Sequence, residues 1–111
     1  MVYFLKNHNN NTVKIGRTKD PADRLRTLQT GNSDRLEFLY IIDTVEDSFE
    51  TFVHEICERY HISGEWFAGE VLEQHLLKHP WYRENMKPYP QWLKESADAV
   101  HSSNASTSLT Y

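Results

Sequence analysis

Two short apolar runs, Val2-Tyr3-Phe4-Leu5 and Thr12-Val13-Lys14-Ile15-Gly16, flank the polar stretch Asn7-His8-Asn9-Asn10-Asn11. Branched and aromatic side chains pack well on a pleated sheet, and asparagine tolerates the backbone of tight turns, so the pair reads as a β-hairpin. A two-stranded hairpin is not stable alone in water and has to bury a face against further strands or a helix. The 111 residues, 39% of them hydrophobic and 13% aromatic, supply one such core and not two.

The partners follow the hairpin. Asp20-Pro21 is an N-cap followed by proline in the first helical turn, Leu25 and Leu28 share a face, and Gly31-Asn32 ends the helix after about Thr30. Leu36 to Ile42, bounded by Asp34 and Asp43, is a third strand. From Asp47 the period changes. Phe49, Phe52, Val53, Ile56 and Tyr60 recur at three- and four-residue steps, opposite a face of Glu50, His54, Glu55 and Glu58. Ser63-Gly64 breaks this second helix. Glu65-Trp66-Phe67 forms a compact element with Trp66 and Phe67 in the core, and a further helix is predicted from about Gly69 to Lys78. Trp81, Tyr82, Tyr89, Trp92 and Leu93 are expected to pack back on the domain, since exposing so much aromatic surface is costly. From Ser96 to Tyr111 Ser, Thr, Asn and Ala dominate, which reads as a disordered tail whose deletion leaves the fold intact. A hairpin, a third strand and several helices make the expected class α+β, in one domain over residues 1–95. Within it the motifs occupy residues 1–70 and a helical extension residues 71–95, with the tail at 96–111.

Composition excludes several classes. No apolar run approaches the roughly 20 residues that cross a bilayer, and Met1 to Lys6 lacks the order of a signal peptide. The protein is therefore expected in the cytoplasm, or in the nucleus, and not to be secreted or membrane-bound. Cys57 is the only cysteine, so neither an intramolecular disulfide nor a four-thiolate zinc site can form. The net charge of −4 hides an asymmetry: through Arg35 seven basic residues stand against three acids, a local +4, and the remainder carries −8. The basic third is suited to phosphates, the acidic remainder to a metal ion or to solubility.

Val2-Tyr3, Lys14-Ile15-Gly16, Pro21-Ala22-Asp23-Arg24-Leu25, Glu50 with His54, and Gly64-Glu65-Trp66-Phe67 occur in an order and spacing that resemble the GIY-YIG nuclease superfamily. The closer resemblance is to its small phage and fungal branch, the phage-type DNA-binding or meiotically up-regulated domain, which keeps Lys-Ile-Gly in place of Tyr-Ile-Gly. The resemblance covers roughly residues 1 to 70. It implies a small three-stranded antiparallel sheet flanked by helices, with Mg²⁺-dependent (or Mn²⁺-dependent) cleavage of DNA phosphodiester bonds at one face of that sheet. Such hydrolysis needs a base for the attacking water, positive charge on the phosphoryl oxygens and help for the leaving oxygen. By resemblance, Tyr3 touches or deprotonates the water. Lys14, standing where the second family tyrosine lies, lowers the pKa of Tyr3 or of a water, or pairs with a phosphate. Arg24 clamps the scissile phosphate with its fork of donors. Glu50 ligates the metal. His54, one helical turn on, orients Glu50, touches a metal-bound water or contacts DNA. Arg17, Lys19 and Arg26 are assigned to the nucleic-acid backbone. The asparagine that many such enzymes carry late in the site has no counterpart between Glu50 and Asn85, so Glu65 replaces it or the role is absent.

Plainer readings stand beside these. Tyr3 also fits the core face of a strand, Lys14 a solvated strand position, and Arg24 and Glu50 ordinary helix surfaces. His54, Cys57 and His61 at i, i+3 and i+7 could place three zinc ligands on one stripe, but no fourth ligand accompanies them. Cys57 reads better as a small hydrophobe, and His75 and His79 as solvent-facing. The leading reading is a small metal-dependent DNA endonuclease. The alternative is a catalytically weak or inactive DNA-binding module on the same fold, which Lys14 and the missing asparagine support. A third is a protein-interaction domain, suggested by the net acidity and the aromatic segment Trp81 to Trp92. With no evident recognition domain, selectivity is expected to be low, or supplied by a homodimer or a separate targeting partner.

Overall fold

Val2, Tyr3, Phe4 and Leu5 are all buried because the strand that holds them, β1 (Val2–Asn7), has an apolar layer on each side. In the computed structural model, which describes residues 1–44, 46 and 48–97, β1 is followed by β2 (Thr12–Arg17), α1 (Pro21–Thr30), β3 (Leu36–Ile42) and α2 (Phe49–Ile56). A 3₁₀ turn (Glu58–Tyr60), β4 (His61–Ser63) and β5 (Trp66–Ala68) come next. A π-helical turn (Leu72–Leu76), α3 (Pro80–Asn85), β6 (Lys87–Pro88) and a helix over residues 89–97, α4, complete the described chain.

Among the described residues the sheet has six strands in the order β4-β5-β2-β1-β3-β6, with every neighbouring pair antiparallel. This corrects the expectation of three. The added strands span three, three and two residues, too short for side-chain alternation to register in sequence. Ser63-Gly64, expected to end a helix, instead opens the tight loop between β4 and β5, and Gly64 takes φ +54° there, a conformation side chains disfavour. β6 contains Pro88, which is tolerated because the strand is at the sheet edge.

One face of the sheet presents Val2, Phe4, Val13 and Ile15 to residues from α2, the π-helical turn and α3, among them Val53, Leu72, Leu76 and Tyr82. The other face presents Tyr3, Leu5, Phe38 and Ile41 to Leu25 and Leu28 of α1, to Trp66, and to Tyr89 and Trp92. Phe67 is buried as expected and Trp66 partly so. Cys57 is fully buried, and that burial pushes its thiol up to about 12. The aromatic segment docks incompletely: Tyr82 is buried and Tyr89 stacks on Trp92, but Trp81 and Leu93 remain substantially exposed.

Helix α2 stops at Ile56, earlier than its pattern suggests, and Tyr60 belongs to the 3₁₀ turn. The helix expected over 69–78 contains an i→i+5 turn, closed by Leu77 N–H donating to Leu72 O at 2.7 Å, and Leu72 and Leu76 are both buried. Ser96 and Ala97 continue α4; the rest of the expected tail, 98–111, lies outside the described residues. No helix among the described residues is long and apolar enough to cross a membrane.

Helix α1 begins as read. The Asp20 carboxylate accepts from Asp23 N–H at 3.1 Å and Pro21 takes the first helical position. Asp20→Ala is expected to lower stability by about 1 kcal/mol, measured by chemical denaturation, with its effect confined to α1.

Candidate active site

Register determines the site. Tyr3 faces Gly16 and Leu5 faces Lys14 across the β1–β2 ladder, so Tyr3, Lys14 and Gly16 share the sheet face that α1 covers. β5 pairs only with Thr12 to Lys14. Past Lys14 the outer edge of β2 is met by two other groups: Ile15 N–H donates to Glu65 O at 2.9 Å, and Ile15 O accepts from His54 Nε2 at 2.7 Å. One edge residue thereby anchors both the β4–β5 loop and α2, and brings their side chains to the end of β2.

Gly16 makes room for the first of these side chains. A Cβ on Gly16 would lie 2.5 Å from Tyr3 Cζ and 2.9 Å from Cε1, so the phenol end of Tyr3 fills the space a side chain would occupy. Burial pushes the Tyr3 hydroxyl up to about 12, reinforced by the charges of Glu65 and Glu50 and opposed by Arg24, which hydrogen-bonds it from α1. Tyr3 is therefore a neutral phenol at physiological pH.

Glu50, in the first turn of α2, has a side chain only 15% exposed. Its carboxyl is held above the usual carboxylate range first by burial, then by the adjacent Glu65 carboxylate, with which it shares a hydrogen bond. Arg17 Nε at 3.7 Å from Oε2 and His54 Nε2 at 3.7 Å from Oε1 offset this incompletely. Because a carbonyl can only accept, the His54 bond to Ile15 O places the proton on Nε2. Lys14 Nζ lies 3.5 Å from Glu65 Oε2 and 5.7 Å from the centre of the Trp66 ring.

Tyr3, Lys14, Arg24, Glu50 and His54 thus come together at one edge, joined by Arg17, which faces Glu50. Arg26 does not join them, because it pairs with Asp23 of its own helix. Lys19 is exposed and lines, with Arg17 and Asp43, a cavity of about 300 Å³ beside the site. Glu65 is the member that sequence reasoning reaches only as a replacement for asparagine. No local signal marks it, because the strands on either side of its loop are three residues each.

A hard cation such as Mg²⁺ takes oxygen ligands and commonly keeps several waters, so one or two carboxylates suffice to hold it. The Glu50–Glu65 pair, two carboxylates under mutual repulsion at an accessible edge, fits that chemistry. The His54, Cys57, His61 stripe does not assemble: Cys57 is in the core, and His61 Nε2 bonds Gly64 O at 2.8 Å. Among the described residues no group of three or more His, Cys, Asp or Glu side chains is arranged around a metal position.

The family model of the T5orf172 domain matches residues 1–84 of the 111. The chain belongs to the T5orf172 domain family. This phage-type domain occurs in nuclease-associated families, which makes the T5orf172 domain described here one of nuclease or DNA-binding type. The match corrects the GIY-YIG assignment, since no GIY-YIG family model matches the chain. The tripeptides behind that resemblance are short, and one of them carries lysine where the superfamily has tyrosine. No curated protein and no solved structure matches this T5orf172 domain.

Proposed function

We propose that this T5orf172 domain is a metal-dependent endonuclease that hydrolyses DNA phosphodiester bonds at the open end of β2. The observation that carries the reading is the meeting of two carboxylates, Glu50 and Glu65, with a buried phenol held by an arginine, Tyr3 and Arg24, at an end of the sheet where Glu65 and Arg24 reach solvent. Arg24, exposed on α1, presents a fork of donors suited to two phosphoryl oxygens at once. Tyr3 donates from its hydroxyl to a phosphoryl oxygen, a role that suits a neutral phenol and does not require it to act as a base. Glu65, 41% exposed, is the carboxylate best placed to accept the proton of the attacking water. His54 orients α2, and with it Glu50, through Ile15 O. Glu50, with Glu65, would hold Mg²⁺ or Mn²⁺, which when bound supplies a Lewis acid that stabilises charge on the phosphoryl and leaving oxygens.

A second reading has its own observation. Lys14 stands on Glu65 and Arg17 on Glu50, the pairing expected of a DNA-binding module that has given up the cation. Nicking of supercoiled plasmid by the full chain, with Mg²⁺, Mn²⁺ or EDTA, separates the two. Cleavage is expected with either ion, none with EDTA, and a loss of at least about a hundredfold in Arg24→Ala. Salt-sensitive DNA binding without any cleavage would leave the binding module as the function.

A further inference from the structure

We propose that Lys14 is an internal counter-ion that competes with the divalent cation for Glu65, and so sets how tightly the site holds metal. The inference rests on the reading of Glu50 and Glu65 as the cation-holding pair, and it assigns Lys14 a role other than phosphate contact.

Three observations place the ammonium on the carboxylate. Lys14 is the last residue of β2 with a strand on both sides, opposite Leu5 in β1 and Trp66 in β5, so its backbone is fixed. Its ammonium lies over the ring of Trp66, the residue next to Glu65, with Nζ 5.7 Å from the ring centre. Nζ stands 3.5 Å from Glu65 Oε2, with the side chain only 21% exposed, whereas Arg24 and Arg17 open to solvent. A phosphate ligand needs the exposure of Arg24; a counter-ion needs the enclosure of Lys14.

The physical consequence is direct. A divalent ion seated on Glu65 finds a unit positive charge already bound to the same carboxylate, and the two repel at short range. Removing that charge while keeping the chain length should tighten cation binding. Even with the screening of bulk water, one ammonium a few ångströms from a divalent ion is worth about a tenfold change in affinity.

The test is Mn²⁺ binding to the purified full chain, read from the electron paramagnetic resonance signal of free Mn²⁺, for wild type, Lys14→Gln, Lys14→Arg and Glu50→Gln. Thermal melts confirm that each variant is folded. Lys14→Gln should bind Mn²⁺ about tenfold more tightly, Lys14→Arg should stay near wild type, and Glu50→Gln should bind more weakly. DNA affinity in EDTA, from fluorescence anisotropy, should change less than about threefold in Lys14→Gln. If wild type binds Mn²⁺ and Lys14→Gln binds it no more tightly, the counter-ion role is overturned while the cation site stands. A loss of DNA affinity in EDTA of about tenfold, with Mn²⁺ affinity unchanged, would overturn it in favour of a phosphate contact. If neither wild type nor Lys14→Gln binds Mn²⁺, the cation site itself fails and the inference falls with it.

Discussion

Glu50→Gln will lower Mg²⁺-supported cleavage on the order of a thousandfold and, in the same protein, raise the melting temperature. The activity loss follows from removing one of the two carboxylates proposed to hold the cation. The stability gain follows from the environment of the carboxyl, which burial and Glu65 hold above its usual range. A group whose folded pKa is raised contributes stability below its unfolded value, and that contribution is lost as pH climbs through the folded value. At neutral pH wild type therefore carries a deficit that a neutral amide lacks. A gain of about 1 kcal/mol corresponds to roughly 4–8 °C in a domain of this size. Melts in EDTA should show the variant ahead of wild type at pH 7, with the gap closing as the buffer is acidified toward the ordinary carboxylate range. A wild type that melts above Glu50→Gln at pH 7 would show that the two carboxylates do not oppose one another.

The second large effect is at Gly16. A methyl group there would meet the end of the Tyr3 ring at 2.5 and 2.9 Å, and Tyr3 is 1% exposed, so the ring cannot swing aside. Gly16→Ala should cost about 2 kcal/mol and lower the melting temperature by roughly 10 °C. Cleavage should fall with it, because the same shift carries the phenol away from Arg24. The cause is checked with Tyr3→Val, which shortens the opposing side chain. In that background Gly16→Ala should cost far less, and the difference measures the coupling. If the alanine costs the same in both backgrounds, the clash is not with Tyr3.

Local signals carry the legible portion of the fold. The asparagine-rich hairpin, the Asp20-Pro21 start of α1 and the branched run of β3 each declare themselves over six or more residues, and β3 spans Leu36–Ile42 as read. β4, β5 and β6 are not legible, because three residues cannot display a period and their pairing depends on strands elsewhere in the sequence. The site follows the same division. Arg24 and Glu50 sit on periodic helices whose faces can be counted, and Tyr3 opposite Gly16 follows from hairpin register. Glu65 cannot be placed beside Glu50 from sequence, because it reaches the site on a hairpin seen only once folded. Arg26, assigned to nucleic acid from sequence, has a partner in the structure, Asp23, three residues away on the same helix face. The family is least legible by motif, since several tripeptides in order hold less information than a match over residues 1–84.

Ile15 gives up its N–H to the loop that bears Glu65 and its carbonyl to the helix that bears Glu50. Neither bond belongs to the sheet ladder, so the strands can zip up while this residue is still open to solvent. The loop that bears Glu65 can therefore open at Ile15 without the sheet melting, whereas α2, whose Val53 is buried with Val2 and Phe4, comes away only with the core. Two amides tell the states apart: slow deuterium uptake at Ile15 marks a docked Glu65 loop, and fast uptake there alongside a slow Phe4 marks a folded sheet with that loop undone.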